Sequence, residues 1–258
     1  ISSAASDVYK RQAYEGIYTM LTERDRYPAF RIPTVCIPAS IDNNLPGSEL
    51  SIGTDTALNV IVEAMDKIKE SGIASRRCFV VETMGRDCGY LALMSGIAAG
   101  AERIYTNEDG ISLDDLANDV HWLRELFAHG RRLFLAVRNE NASHNYTTDF
   151  IARLLEEESH GMYDVRQVVL GHMQQGGSPS PFDRLLANRL GYRALNLIDD
   201  ELAAHQDGSW FIGVNESGMR PCSMDTMPSL IDAAHRRPRE QWWLQLRTIA
   251  RMVSDEVR

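Results

Sequence analysis

A carboxylate flanked by amides, Asp42 in Pro38-Ala39-Ser40-Ile41-Asp42-Asn43-Asn44, follows the apolar run Ile32 to Ile37, where a strand is expected to give way to a loop. Phosphoryl transfer asks little beyond an oriented nucleophile and charge compensation, so Asp42 can serve by accepting the proton of an attacking hydroxyl. It can equally cap its own turn, with Asn43 and Asn44 as turn formers. Two more polar loops follow apolar runs: Glu82-Thr83-Met84-Gly85-Arg86 and Leu170-Gly171-His172-Met173-Gln174-Gln175-Gly176-Gly177. Arg86 offers charge to a transferring phosphoryl group, and Gly85 lets a ligand approach the backbone. A lone arginine also serves as an ordinary salt-bridge partner. His172 reads as a neutral donor to a phosphate or hydroxyl in preference to an acid/base, while Gln174 and Gln175 can position oxygens without neutralising them. Gly176-Gly177-Ser178-Pro179 opens a helix, and a helix amino end attracts anions. A base, a cation, amide donors and exposed backbone suit a phosphorylated, hydroxyl-bearing ligand.

Such loops need strands to hold them. The pattern predicts helices over Ala13–Arg24, Thr54–Glu70, Tyr90–Ala99, Leu113–His129, Thr148–Glu158, Pro181–Leu197 and Arg239–Val257. Strands are expected over Ile32–Ile37, Cys78–Val81, Arg103–Tyr105, Leu133–Val137, Arg166–Leu170 and Trp210–Val214. The Thr54 helix carries Leu58, Ile61, Val62, Met65 and Ile68 at helical spacing and ends at Gly72; the Tyr90 helix is apolar all round, with small residues for close packing. Strands alternating with helices give an α/β fold: open, mostly parallel sheets with helices on both faces. Ligands bind such sheets outside the carboxyl ends of the strands, where three loops can meet on one molecule. Arg77 precedes its expected strand and Arg166 stands at the start of its own, which puts them at the opposite rim.

With 258 residues, a net charge of -9 and pI near 5.3, the chain lacks a nucleic-acid footprint, and no apolar run approaches the ~20 residues that span a bilayer. An anionic ligand must be held by local cations. Four cysteines without a C-x-x-C pair imply neither zinc nor a disulfide framework, and a reducing cytoplasmic home is expected. Residues 1–12 resemble translated adaptor sequence and are set aside, leaving residues 13–258 as a domain incomplete at its amino terminus.

The ordered motifs Ser40-Ile41-Asp42-Asn43-Asn44, Met84-Gly85-Arg86, Leu170 to Pro179 and Phe182-Asp183-Arg184 resemble the phosphofructokinase family. Val137 to Asn141, Asn145 to Phe150 and Arg239-Glu240-Gln241-Trp242-Trp243 are similar, more narrowly, to the carboxyl-terminal half of its double-length eukaryotic-type members. In that lineage the first half usually keeps catalysis and the second usually binds a fructose bisphosphate activator. The resemblance implies an ATP-dependent 6-phosphofructokinase of glycolysis, with Mg2+ and ATP in the complete enzyme and fructose 6-phosphate or a fructose bisphosphate as ligand. It also implies a homo-oligomer or a tandem half with shared sites. It makes Asp42 the base and Arg86 the stabiliser of the transferring group. Ser40 and Asn43 help position the reactants, and Ile41 and Asn44 join them in binding substrate or effector. Met84, Gly85, Glu140 and His172 line the sugar site, Arg77 and Arg166 reach the sugar phosphate of an adjacent half, and Gly16 lies where the nucleotide segment ends. Two positions depart from catalytic members: Asn44 replaces a second aspartate, and Gln175 an arginine that grips the 6-phosphate. Both departures are typical of regulatory halves, yet those usually lose Asp42 and Arg86, which this chain keeps. The family's glycine-rich phosphate loop and its Gly-Gly-Asp-Gly magnesium segment are absent from these residues. Pyrophosphate-using members commonly carry lysine directly before the Ser/Thr-Ile-Asp unit, whereas this chain has Ala39, so ATP is the expected donor.

Overall fold

The computed structural model describes residues 11–72 and 75–255, and the chain divides into two compact units, Ile1–Asp55 with Pro179–Trp242 and Thr56–Ser178 with Trp243–Arg258. Of the adaptor-like segment, residues 1–10 lie outside the described residues, and Arg11 and Gln12 open the first helix.

The first unit is built on a three-stranded sheet. Strand β1 (Thr34–Cys36) runs parallel to β6 (Ser209–Asn215), which pairs antiparallel with β7 (Gly218–Ser223). The expected Ile32–Ile37 strand shrinks to three residues because Pro33 and Pro38 flank it and neither can donate to a ladder. Alternation along the strands sorts side chains to two faces. Cys36 and Phe211 join Tyr14 of helix α1 (Arg11–Thr22) together with Met224, Met227 and Ile231. On the other face Ile212, Val35 and Ile37 meet Leu186, Leu190 and Ala194 of helix α6 (Pro181–Ala203). The turn at Pro46-Gly47 lies on β6 only because position 213 has no side chain, since a Cβ there would sit 2.3 Å from the Gly47 carbonyl oxygen.

The second unit carries a four-stranded sheet in the order β3-β4-β2-β5, parallel throughout. Its strands are β2 (Arg77–Thr83), β3 (Arg103–Tyr105), β4 (Leu133–Asn139) and β5 (Asp164–Val169). Central β2 and β4 are buried along almost their whole length, as strands covered on both faces must be. One face packs on helices α4 (Leu113–Ala128) and α5 (Thr148–Glu158): Cys78, Val80, Phe134, Ala136 and Val165 meet Leu116, Leu123, Phe127, Ile151 and Leu155. Helix α3 (Tyr90–Ala99), apolar all round, packs against β2, β3 and β4. Ser112 caps α4 through a reciprocal pair with Asp115, whose carboxyl the Ser112 hydroxyl and amide draw below its ordinary value. Helix α2 (Thr54–Gly72) begins where Thr54 donates from its hydroxyl to the Ser40 carbonyl.

Three expectations need correction. The terminal helix does not span Arg239–Val257: Arg239 closes a hairpin of β8 (Ile231–Asp232) and β9 (Arg237–Pro238), Trp242–Leu246 forms a 3-10 turn, and helix α7 runs only over Arg247–Asp255. The two tryptophans explain the break, because Trp242 donates its indole N–H to the Glu49 carbonyl while buried Trp243 packs edge-on against Tyr90. Strand β5 begins at Asp164, so Arg166 is its third residue and not its first, and Arg77 is the first residue of β2. Strand β7 went unpredicted because Pro221 and a mixed polar pattern mark an edge strand weakly.

Candidate functional site

In the first unit the loop after β1 holds the candidate base. Asp42 is buried, and its backbone N–H donates to the Ser40 hydroxyl at 3.2 Å. That hydroxyl donates in turn to the Asn44 side-chain oxygen at 3.0 Å. Ser40 and Asn44 therefore shape the turn on which Asp42 sits. Ser40 is pinned further by backbone bonds, its N–H to the Ile52 carbonyl and Ile52 N–H to the Pro38 carbonyl. Asn43 adopts a left-handed backbone, φ 51°, which costs a non-glycine residue energy that must be offset locally. Its side-chain amide supplies part of that by donating to the Glu49 carbonyl at 2.7 Å. Ile41 is half-buried beside Gly53, whose N–H donates to Asp183 at 2.9 Å. Gly16 lies on the exposed side of α1, where an added Cβ would meet open space, so nothing local requires glycine there.

In the second unit the strand order dictates where a ligand belongs. From β2 the chain crosses through α3 toward β3, and from β4 it crosses through α5 the other way, toward β5. Adjacent strands whose connections diverge leave a crevice outside their carboxyl ends. Met84, Gly85 and Arg86 follow β2 at this point and Glu140 follows β4. The Glu140 carboxylate accepts the Gly85 N–H at 3.1 Å and the Arg86 N–H at 2.7 Å. Both residues have positive φ, 135° and 50°, so a charge-assisted clamp holds a strained turn and leaves the Arg86 side chain exposed. Glu140 thus supports the turn that presents Arg86.

The loop after β5 is tied to the same turn. His172 is exposed within the 3-10 turn Gly171–Gln175. Buried Gln174 donates to the Gly171 carbonyl at 2.9 Å and accepts the Met84 N–H at 3.1 Å, and exposed Gln175 places its amide 3.8 Å from the Met84 sulfur. The sheet therefore brings Met84, Gly85, Arg86, Glu140, His172 and Gln175 to one edge. Arg77 and Arg166 lie elsewhere. Arg77 stands six residues before Thr83, roughly 20 Å along an extended strand, and Arg166 pairs with Phe79 partway up the sheet, its side chain near Asp164.

Beneath the edge lies a residue the sequence offered only as part of a motif. Arg138 is almost fully buried and donates to Glu82 at 2.8 Å and to the carbonyls of Glu140, Ser143 and Tyr146 at 3.0, 2.6 and 3.2 Å. Burial pulls its guanidinium down from the ordinary value while Glu82 opposes the shift. Asn139, also buried, reaches the Met84 and Cys88 carbonyls at 3.4 Å. An arginine ending an apolar run was the available signal.

A prediction follows at Gly85. An alanine Cβ would lie 2.4 Å from the Cys88 carbonyl oxygen and 2.9 Å from the Asn139 amide, on a backbone that L side chains avoid. Gly85→Ala should cost about 2 kcal/mol of stability from strain of this kind. Urea denaturation against Gly110→Ala, a positive-φ glycine with open space around it, separates the crowding from the torsional cost.

Three of the four cysteines are shut away from solvent. Cys36, Cys78 and Cys88 are buried, and burial pushes the Cys36 thiol up to about 12 and that of Cys78 well above its ordinary value, so both stay protonated. Among the described residues no group of three His, Cys, Asp or Glu side chains is placed to hold a metal ion by itself.

The first unit is a mixed sheet with a buried carboxylate in the loop after β1, the second a parallel sheet with a clamped arginine after β2, and the chain is an α/β protein. The profile of the Phosphofructokinase family matches residues 11–198, and the chain belongs to that family. It is 42% identical to the ATP-dependent 6-phosphofructokinase, platelet type, of Rattus norvegicus, over 94% of this chain and 32% of the relative. The muscle-type enzyme of Homo sapiens is also 42% identical, over 94% of this chain and 33% of its own length. The structure of phosphofructokinase from Saccharomyces cerevisiae superposes with a TM-score of 0.89 at 34% identity, covering 94% of this chain and 35% of that one. The chain thus spans about a third of the curated relatives it matches. No helix among the described residues is long and apolar enough to cross a membrane.

Proposed function

We propose that this chain is part of an ATP-dependent 6-phosphofructokinase, which transfers the γ-phosphoryl group of ATP to the 1-hydroxyl of fructose 6-phosphate in the cytosol. The observation that carries the reading is the joint retention of Asp42 and Arg86, each at the carboxyl end of a parallel strand, in a chain 42% identical to enzymes of that name. Asp42 accepts the proton of the 1-hydroxyl as the oxygen attacks phosphorus. Arg86 draws negative charge from the transferring group, and the Glu140 clamp keeps its backbone in place for that task. Ser40 and Asn43 keep the base oriented. Met84, Gly85 and His172 contact the sugar, and Arg77 and Arg166 serve the sugar phosphate of a neighbouring half. Magnesium accompanies the nucleotide as a charge-neutralising ion when bound; every step assigned to this chain belongs to its own side chains.

Two residues favour a second reading, in which this half senses a fructose bisphosphate without chemistry. Asn44 is committed to Ser40, and Gln175 brings no charge to the edge loop. The donor question turns on Ala39, an exposed residue that adds no cation beside the Asp42 turn. The protein expressed from its complete reading frame should phosphorylate fructose 6-phosphate with ATP and not with pyrophosphate. Turnover with pyrophosphate alone reverses the donor assignment. Turnover that survives loss of Asp42 favours the sensing role for this half.

A further inference from the structure

We propose that Trp242 is a positioning residue for the Asp42 turn, acting through the carbonyl of Glu49. The inference rests on the catalytic reading of Asp42, but its geometry stands by itself. The Glu49 carbonyl accepts two side-chain hydrogen bonds, from the Asn43 amide at 2.7 Å and from the Trp242 indole N–H at 3.0 Å. A carbonyl oxygen has two lone pairs, and here each has a donor. The Glu49 N–H is also engaged, donating to the Val214 carbonyl at 2.7 Å, while the Val214 N–H donates to the Ser48 hydroxyl at 3.1 Å. The end of β6 thus holds Glu49 by its N–H, and the indole shares its carbonyl with Asn43.

Asn43 is the residue that most needs holding. It is buried and left-handed, with φ 51°, and it directly follows Asp42, so tilting the Glu49 peptide releases a strained torsion adjacent to the base. Trp242 is itself well placed as a fixed arm. The β8–β9 hairpin delivers the chain to it, with Arg239 bonded to the Leu230 carbonyl through its backbone N–H and to the Ile231 carbonyl through Nε at 3.0 Å. The indole forms part of the wall of a 590 Å³ cavity together with Glu49 and Arg239. A helix over residues 239–257 would forgo this arm, which gives the break after Arg239 a purpose.

Trp242→Phe keeps an aromatic ring and deletes the one N–H. In the protein expressed from its complete reading frame, kcat should fall roughly fivefold, the worth of one neutral hydrogen bond felt at the base, with KM for fructose 6-phosphate within about twofold. Hydrogen exchange read by mass spectrometry, with no ligand added, should quicken in the peptide covering residues 40–50 and stay unchanged in peptides from β2 and β4, a local pattern that general destabilisation would not give. Combining Trp242→Phe with Asn43→Ala should cost little more than Asn43→Ala alone, because both donors act on one carbonyl. Unchanged exchange over residues 40–50 overturns the proposal whether or not the enzyme turns over. So does a wild-type kcat in an active variant. If the wild-type protein phosphorylates no fructose 6-phosphate, the functional reading falls and the exchange pattern still decides the role of Trp242.

Discussion

Asp42→Asn should lower kcat for fructose 6-phosphate phosphorylation by two to four orders of magnitude, the range that a positioned general base supplies. The substitution is close to isosteric, and the turn has reasons to survive it. The Asp42 N–H to Ser40 hydroxyl bond, the Ser40 to Asn44 bond and the Asn43 to Glu49 bond involve no Asp42 side-chain atom. Loss of turnover with an intact turn therefore isolates the carboxylate. Isothermal titration of fructose 6-phosphate should show affinity within a few-fold of wild type, since an amide still offers the sugar a polar neighbour. Steady-state kinetics on the protein expressed from its complete reading frame, with far-ultraviolet circular dichroism as a fold control, makes the measurement. A kcat within threefold of wild type would reduce Asp42 to a turn residue and move the base, if one exists, to another half of the protein. Asn44→Asp is the companion variant. It restores the carboxylate that catalytic relatives carry but sets it against the Ser40 hydroxyl, so its effect reports whether this turn tolerates a second charge.

The elements that position the site were legible where a single physical rule set them. Strands β2 and β4 read as continuous apolar runs because both faces are covered, though each continues two residues past its expected end, through Glu82-Thr83 and Arg138-Asn139. Helix α3 was bounded by its own chemistry, with Gly100 left-handed at its end. Asp42, Arg86 and His172 stood out for the same reason: polar groups directly after apolar runs lie at sheet edges. Partnerships across long sequence separations were not legible. Glu140 was marked through its motif, and nothing local announced the bonds its carboxylate makes to amides 54 and 55 residues away. Trp242 and Trp243 satisfied a helical pattern whose local signal lost to two different tertiary partners. The hairpin β8–β9 has two residues per strand and carries Pro238, too little pattern to read.

The largest expected effect on stability lies under the edge, at Arg138. Its side chain is 2% exposed and Glu82, its partner at 2.8 Å, is 21% exposed. Taking one member from such a pair leaves the other charge in a poor solvent, at a cost of about 3–5 kcal/mol, whereas removing both can be close to neutral. Arg138→Met fills much of the volume and also strips donors from the carbonyls of Glu140, Ser143 and Tyr146. Those carbonyls fix the segment after β4 that carries the Glu140 carboxylate. The variant should lose about 3–5 kcal/mol in urea denaturation, equivalent to roughly 10 °C in Tm. In folded molecules the Gly85–Arg86 turn should loosen as Glu140 shifts, which lowers kcat beyond what unfolding explains. Glu82→Gln in the Arg138→Met background should recover part of the stability by removing the stranded charge. It should recover none of the activity, because the carbonyls remain without donors. If Arg138→Met alone stays within 1 kcal/mol of wild type, the guanidinium is a passenger in the core and the support of Glu140 must come from the backbone bond between its N–H and the Thr83 carbonyl.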